Sequence, residues 1–522
     1  MAIPEYSPSL VGIYFHSASL LFLNQKLKEN PGFALDLQKY FRLFSEKINT
    51  IFPRLPIYSN WESLNKILEG SGISSEYLSH TDEVDFLKSL LPKLPIARSE
   101  IPEWDEVCFL YFSGIAPLLD TQLTEKIWSR HKQFLSQYSY SENLPDGIVP
   151  KILTREFLLT IPEKVPGSVH DFFLKNINQY DIEIFFQKPD LRQMRLNLIA
   201  NNPRSIDLIQ NLIDLDSNLP YEKLEKTLRA NPQWFRSGPS YIEIEIYRGC
   251  QSKCTFCPRQ HGFVSEEIVQ IDPQILTKIA NEMKSFPTNY TACFGGLGEP
   301  LLHPNWTGMA KIILPSTQVE ELIVETALTI EPDLLTRNLK EFSTDELEKI
   351  GWIINLTTWK QDRYKSMYGK DEFAKVKENI RVLTEMVPKK NISIQLIKML
   401  EVEDEVESYF NTVEGMGLNV VFQKYNTFAH RMPEKRVSDL TPLQREFCWH
   451  LARDLYINAD GDVSICRQVP NQKLSSDSNI GQKSLKEIWS EGQKSFSASF
   501  LGNHQGTGAP CLQCDEWYTF NA

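Results

Sequence analysis

Three cysteines at positions 250, 254 and 257, spaced Cys-x3-Cys-x2-Cys within YRGCQSKCTFCPR, constrain this chain more than any other feature. They follow directly on a β-rich run, so they belong to a loop leaving a strand. Three thiolates this close together can reach three corners of one cubane iron–sulfur cluster, leaving the fourth iron open to a small molecule. A structural zinc site takes four protein ligands; no fourth cysteine stands nearby, although His261 could complete a set. Ordinary burial of three thiols is the remaining alternative.

Seven of the nine cysteines fall into two groups. The second comprises Cys448 and Cys466, which flank a hairpin-like stretch, LYINADGDVSI, with Asp-Gly at its tip, and the pair Cys511-x2-Cys514. Four thiolates in two pairs suit either zinc or a fully ligated iron–sulfur cluster. Cys108 and Cys293 stand alone in apolar, strand-like runs, where a buried structural cysteine is the usual finding. The N-terminal stretch lacks a charged start followed by an unbroken apolar run, and no run of about 18 apolar residues occurs, so no secretion signal or membrane span is expected. The expected location is the cytoplasm, where clustered thiols signify metal more often than disulfides. Lys+Arg 55 against Asp+Glu 67 gives a net charge of −12, which argues against a dedicated nucleic-acid binder.

At 522 residues the chain exceeds one ordinary hydrophobic core, and two to four domains are expected. Pro- and Gly-punctuated NPQWFRSGPS at 231–240 reads as a linker. Beyond it, β-rich runs at 241–247, 289–294, 321–326, 352–358, 392–398 and 419–424 alternate with amphipathic segments such as 272–286 and 371–386. That alternation is the pattern of a parallel α/β sheet, and six such units suggest a partial barrel with its chemistry at the C-terminal ends of the strands. At the end of the second run, CFGGLGEP offers glycines that allow close backbone approach and a carboxylate able to accept from an ammonium group.

Residues 241–430 resemble the radical S-adenosylmethionine (SAM) superfamily, whose hallmark is Cys-x3-Cys-x-aromatic-Cys after the first barrel strand. The resemblance implies that Cys250, Cys254 and Cys257 ligate a 4Fe–4S cluster and that Phe256 lies near the SAM adenine. It also implies that Gly295, Gly296, Gly298 and Glu299 hold the methionine amine, and that Thr326 and Thr357, or Thr358 beside it, meet the ribose. Gln395, Lys398, Lys424 and Tyr425 end the last two strands and read chiefly as solvated strand ends. The second cysteine group, Cys-x12-Gly-x4-Cys followed by Cys-x2-Cys, resembles the SPASM extension in its shortened twitch form. This implies that Cys448, Cys466, Cys511 and Cys514 ligate an auxiliary 4Fe–4S cluster. The whole plan resembles the spiro-SPASM family.

Residues 1–215 resemble GT-A-like nucleotidyltransferases around a strand-end motif of the type Asp-x-Pro-Leu-Leu-Asp. Ile115 replaces its first, metal-holding aspartate, while Pro117, Leu118, Leu119 and Asp120 remain. The expected α/β architecture is therefore a degenerate nucleotidyltransferase-like domain (1–215), a linker (216–240), a partial (β/α)6 TIM-like barrel (241–430) and a cysteine-rich twitch domain (431–522). The expected activity is reductive cleavage of SAM to a 5′-deoxyadenosyl radical, with flavodoxin or ferredoxin as electron donor and a peptide, protein or small molecule as substrate. The rival expectations are an active nucleotidyl- or glycosyltransferase fused to the radical module, and a non-catalytic iron–sulfur or zinc scaffold.

Overall fold

The computed structural model describes residues 6–96, 107–165, 167–263, 265–507 and 509–519, and the chain divides between Trp234 and Phe235 into two units. In the first unit, β1 (Val11–Ile13), β2 (Ile57–Ser59), β3 (Glu76–Tyr77), β4 (Cys108–Phe112), β5 (Tyr138–Ser141), β6 (Lys151–Thr154) and β7 (Ile182–Phe185) form one mixed sheet in the order β3-β2-β1-β4-β6-β5-β7. The central strand β4 reads CFLYF and is buried throughout, as a strand covered on both faces must be. Residues 216–240 are not a plain linker. They carry the helix Tyr221–Ala230, which belongs to the first unit because Tyr221, Leu224 and Leu228 repeat on one face and are buried.

The surviving part of the strand-end motif has a structural task. Asp120 caps the helix Thr121–Gln133, one carboxylate oxygen accepting the Leu123 N–H at 3.0 Å and the other the Tyr221 N–H at 3.0 Å. Ile115, in the place of the metal-holding acid, is fully buried.

In the second unit, β8 (Tyr241–Ile244) leads to a short antiparallel pair, β9 (Tyr247–Arg248) and β10 (Val269–Gln270). Then follow β11 (Tyr290–Phe294), β12 (Val319–Thr326), β13 (Ile350–Asn355), β14 (Ile392–Lys398), β15 (Asn419–Lys424), β16 (Asp454–Ile457) and β17 (Val463–Ser464). The main sheet runs β15-β14-β13-β12-β11-β8-β16-β17, and its first six strands are parallel, with helices such as Pro273–Glu282 and Phe373–Met386 in the crossovers. The C-terminal hairpin β16–β17 is part of this sheet, because β16 pairs in parallel with β8. Gly461 turns its tip with φ +80°, a conformation natural to glycine.

Strand alternation sorts the side chains. Ile242, Ile244, Ala292, Phe294, Leu322, Val324, Trp352, Ile354, Ile394 and Leu396 enter the large core. Their alternates, Glu243, Cys293, Glu325, Asn355 and Gln395, fall on the opposite face of the sheet. Tyr241, Cys293 and Ile323 form a small cluster there. Cys108 and Cys293 are both fully buried.

Candidate active site

The cysteine loop is held from two sides by backbone. On one side, the Lys253 N–H donates to the Tyr368 carbonyl at 3.0 Å and the Thr255 N–H to the Met367 carbonyl at 2.9 Å. Gly369, at φ +74°, permits this approach: a Cβ there would stand 2.9 Å from the Lys253 Cβ. On the other side, the Glu299 N–H donates to the Gly249 carbonyl at 2.8 Å. A Cβ on Gly298 would lie 2.9 Å from the Tyr247 carbonyl carbon, with the carbonyl oxygen nearer still. The glycine-rich turn after β11 is therefore packed directly against the backbone that launches the cysteines.

Cys250, Cys254, Phe256, Cys257, Gly296, Gly298, Glu299 and Thr326 line one cavity of about 160 Å³. Of the expected site residues in this domain, Gly295 and Thr357 do not line it. The strand β13 ends at Asn355, and the chain then turns so that the Thr357 N–H donates to the Tyr368 hydroxyl at 2.9 Å while that hydroxyl donates to the Asn355 carbonyl at 3.0 Å. Asn355 lines the cavity in its place. Thr358 donates its hydroxyl to Glu405. Gln395, Lys424 and Tyr425 also line the cavity, which corrects their reading as solvated strand ends, whereas Lys398 does not. His261 lines a separate cavity beside Phe263 and Arg431, away from the three cysteines.

Glu299 is buried and three donors hold it: the Leu301 N–H at 3.2 Å and the Thr326 hydroxyl at 2.5 Å on Oε1, and the Ala327 N–H at 2.8 Å on Oε2. It fastens the turn after β11 to the end of β12, leaving Oε2 with capacity for one further donor. Burial raises its pKa against these hydrogen bonds. Burial, with Glu299 adding to it, pushes the Cys250 thiol up to about 11, and burial also raises Cys254 and Cys257. Desolvated neutral thiols of this kind bind iron by exchanging their protons for metal.

Together with Gln395, residues not anticipated from the sequence complete the wall. Tyr368 stacks edge-on against Phe256, ring centroids 5.4 Å apart, and so braces the aromatic position between the last two cysteines. A polar chain crosses the inner face of the sheet: Gln395 donates to Asn355 at 2.6 Å, Asn355 to Glu325 at 3.4 Å, and Arg467 reaches both Glu325 oxygens at 3.3 Å and Glu243 at 3.4 Å. Burial raises the Glu243 pKa, opposed chiefly by Arg467. The signal was present in Glu243 of YIEIEIY and Glu325 of VEELIVET, acids adjacent in sequence to Ile242, Ile244 and Val324, which enter the core.

In the second cysteine group, Cys466, Cys511 and Cys514 line a small cavity. Burial raises Cys448 and Cys466, and neighbouring thiols of the group raise each of them further. The Glu516 N–H donates to the Cys514 sulfur at 3.4 Å, the type of hydrogen bond that tunes iron–sulfur clusters. Among the described residues, no three Cys, His, Asp or Glu side chains converge as the ligands of one ion do. A four-iron cluster differs in placing each thiolate on its own iron at a cube corner. Both cysteine groups thus fit iron–sulfur clusters in donor chemistry and desolvation.

Comparison with known proteins bears on both groups. Residues 244–413 match the family model of the radical SAM superfamily, and residues 448–515 match that of the SPASM iron–sulfur cluster-binding domain. An uncharacterized protein of Treponema pallidum (strain Nichols) is 24% identical over 355 residues, 66% of this chain and 96% of that protein. A tungsten-containing aldehyde ferredoxin oxidoreductase cofactor-modifying protein of Pyrococcus furiosus is 29% identical over 105 residues, 20% of this chain and 28% of that protein. Among solved structures, Streptococcus suis SuiB bound to precursor peptide SuiA aligns with TM-score 0.39 and 15% identity over 61% of this chain and 85% of SuiB. BtrN in complex with AdoMet and 2-DOIA aligns with TM-score 0.34 and 17% identity over 53% of this chain and 93% of BtrN. The cofactors that accompany the two matched domains are SAM and 4Fe–4S clusters, one of them auxiliary. Among the described residues, no helix is long and apolar enough to cross a membrane.

Proposed function

We propose that this chain, which carries a radical SAM domain and a SPASM iron–sulfur domain, is an enzyme that cleaves SAM reductively and oxidatively modifies a peptide, a protein or a small molecule. The observation that carries the proposal is the convergence of Cys250, Cys254, Cys257, Phe256, Gly296, Gly298, Glu299 and Thr326 on one cavity. When loaded, the cluster on the first three cysteines supplies an electron that splits SAM into methionine and a 5′-deoxyadenosyl radical, which takes a hydrogen atom from the substrate.

The protein's own groups bind and orient. Gly296 and Gly298 line the cavity, where their backbone can hydrogen-bond the methionine portion of SAM, and the remaining acceptor capacity of Glu299 suits its ammonium group. Phe256, braced by Tyr368, offers an apolar face to the adenine. Asn355, Gln395 and Gln423 line the same cavity and can hydrogen-bond a polar substrate. Flavodoxin or ferredoxin is the proposed electron donor, and the cytoplasm the proposed compartment. In the first unit, the buried Ile115 and the fully engaged Asp120 speak for a binding or presenting domain over an active transferase.

The test replaces Cys250, Cys254 and Cys257 by alanine. Anaerobically reconstituted protein should fall from about eight irons to about four, and 5′-deoxyadenosine formation with dithionite should stop. Formation of 5′-deoxyadenosine by the triple variant would refute the proposal.

A further inference from the structure

A separate cavity of about 690 Å³ in the second unit runs from His261 and Phe263, just past Cys257, to Pro510 and Gln513, beside Cys511 and Cys514. Val469 and Pro510 line this cavity and also the small one that contains Cys466, Cys511 and Cys514, so the two spaces share a wall. His261, Arg431, Gln472 and Gln513 are exposed, and the cavity therefore opens to solvent. Its charge is one-sided: Arg431 lines it, and among the described residues no carboxylate does, in a chain of net charge −12. The arginine is fixed in place. Its Nε donates to the Phe428 carbonyl at 2.9 Å, an amino group donates to the Gln468 carbonyl, and the guanidinium lies 4.4 Å over the Phe263 ring. Burial lowers the Arg431 pKa and Cys466 acts to raise it, so this cation and that cysteine interact electrostatically. A second arginine, Arg445, donates to the Cys511 and Leu512 carbonyls. Leu512, between Cys511 and Cys514, is 49% exposed, and Leu443, two residues before Arg445, is fully exposed. Fixed cations beside bare apolar side chains suit a small, transient protein interface.

We propose that this cavity and its rim are the docking surface for an acidic flavodoxin, whose flavin gives one electron to the auxiliary cluster across the wall of Val469 and Pro510. The inference rests on the reading that Cys448, Cys466, Cys511 and Cys514 hold an iron–sulfur cluster. In the transfer the flavin hydroquinone becomes the semiquinone, and the oxidised cluster gains the electron and one negative charge; no bond is made or broken. A flavin edge can enter a concavity of this size beside Phe263, whereas a partner presenting a flat face would leave it unfilled. Arg431 and Arg445 attract the acidic face, which raises the association rate and makes it depend on salt. Backbone carbonyls hold both guanidinium groups, so their charges are in position before the partner arrives.

The test is stopped-flow mixing of reconstituted holoprotein with flavodoxin hydroquinone at about 0.01 M and about 0.5 M salt, with iron and zinc counted first. Wild type is compared with Arg431→Glu, Gln472→Glu and Gln472→Lys, and photoreduced deazaflavin serves as an uncharged small donor. At low salt, semiquinone should appear about tenfold more slowly in Arg431→Glu, more slowly in Gln472→Glu and faster in Gln472→Lys. High salt should shrink these differences, and reduction by deazaflavin should keep the wild-type rate throughout. The triple alanine variant of Cys250, Cys254 and Cys257 should still be reduced by flavodoxin, since the acceptor is the auxiliary cluster; loss of that reduction with about four irons present overturns the assignment. Flavodoxin rates equal to wild type in all three charge variants, or an equal change with deazaflavin, overturn the docking surface. Charge-sensitive reduction by a ferredoxin and not by flavodoxin overturns the choice of partner. Should Arg431→Glu lose iron, the Gln472 pair decides: opposite rate changes support the inference and equal rates overturn it. Zinc in the second cysteine group overturns the cluster reading itself, and the metal count reveals this before any mixing.

Discussion

Replacing Gly298 by alanine tests how the SAM-side cysteines are held. The added Cβ would fall 2.9 Å from the Tyr247 carbonyl carbon and 3.3 Å from the Gly249 nitrogen, with the Tyr247 carbonyl oxygen inside any allowed contact. Neither partner can yield cheaply. Tyr247 and Arg248 are paired with β10, and the Glu299 N–H pins the Gly249 carbonyl at 2.8 Å. Relief therefore requires the turn after β11 and the cysteine loop to separate by on the order of 1 Å, and misplacement of that size can cost about 10²-fold in rate. Forcing extra volume into a packed site also costs about 1–3 kcal/mol, occasionally more. Gly262 is the control: its φ of +75° penalises alanine, but nothing lies within 4 Å of the added Cβ. Iron and sulfide are counted after anaerobic reconstitution, and 5′-deoxyadenosine formation is measured with dithionite. Gly298→Ala should retain about four irons of about eight and lose activity, whereas Gly262→Ala should keep both clusters. Gly298→Ala with full iron and wild-type turnover would show that the turn does not support the cysteine loop.

Lys424→Met should loosen the C-terminal segment. The lysine donates to the Asp515 carboxylate at 2.9 Å and to Glu516 at 2.8 Å, both acids being buried, and removing one partner of a buried pair costs about 3–5 kcal/mol. Hydrogen exchange over 509–519 should rise and the four C-terminal irons should be lost first; unchanged exchange refutes the anchoring role. In the first unit, burial lowers His131 to about 3, with Nδ1 2.7 Å from the Ser139 hydroxyl. The unfolded chain therefore binds the extra proton below the ordinary histidine pKa of 6.5, and stability should fall as pH drops from about 6.5 toward 3, by about 1.4 kcal/mol per pH unit. Urea unfolding at pH 7 and pH 5 should show this difference in wild type and lose most of it in His131→Leu; an equal difference in both proteins assigns the pH dependence elsewhere.

What the sequence disclosed depended on how local each constraint was. The six parallel strands and the cysteine loop could be read because period-two patterning and close spacing are written in consecutive residues. The first strand was read as 241–247 but pairs in the main sheet only to Ile244, since Tyr247 and Arg248 pair with β10 instead. Thr357 stands off the lining of the cavity for a similar reason: the turn at Leu356 depends on Tyr368, a partner eleven residues away whose hydroxyl takes the Thr357 N–H. The grip of Glu243 and Glu325 on Arg467 spans more than a hundred residues, and only the alternation of charge within the strands hinted at it.

The auxiliary cysteines are built into the barrel rather than appended to it. Three separate attachments lead to this conclusion. The strand β16, between Cys448 and Cys466, extends the main sheet at β8. Arg467, one residue beyond Cys466, is held by acids of β8 and β12. Asp515, one residue beyond Cys514, accepts from Lys424 of β15 and from the Thr427 hydroxyl at 3.0 Å. These anchors use strands at both sides of the parallel array, so a shift of the C-terminal segment must break sheet hydrogen bonds, a buried ion pair and a charged clamp together. Such coupling suits a cluster whose distance to the cavity must be fixed, because both electron transfer and charge effects fall off with separation. Loss of either cluster leaves these three anchors in place, because none of them runs through a cysteine sulfur.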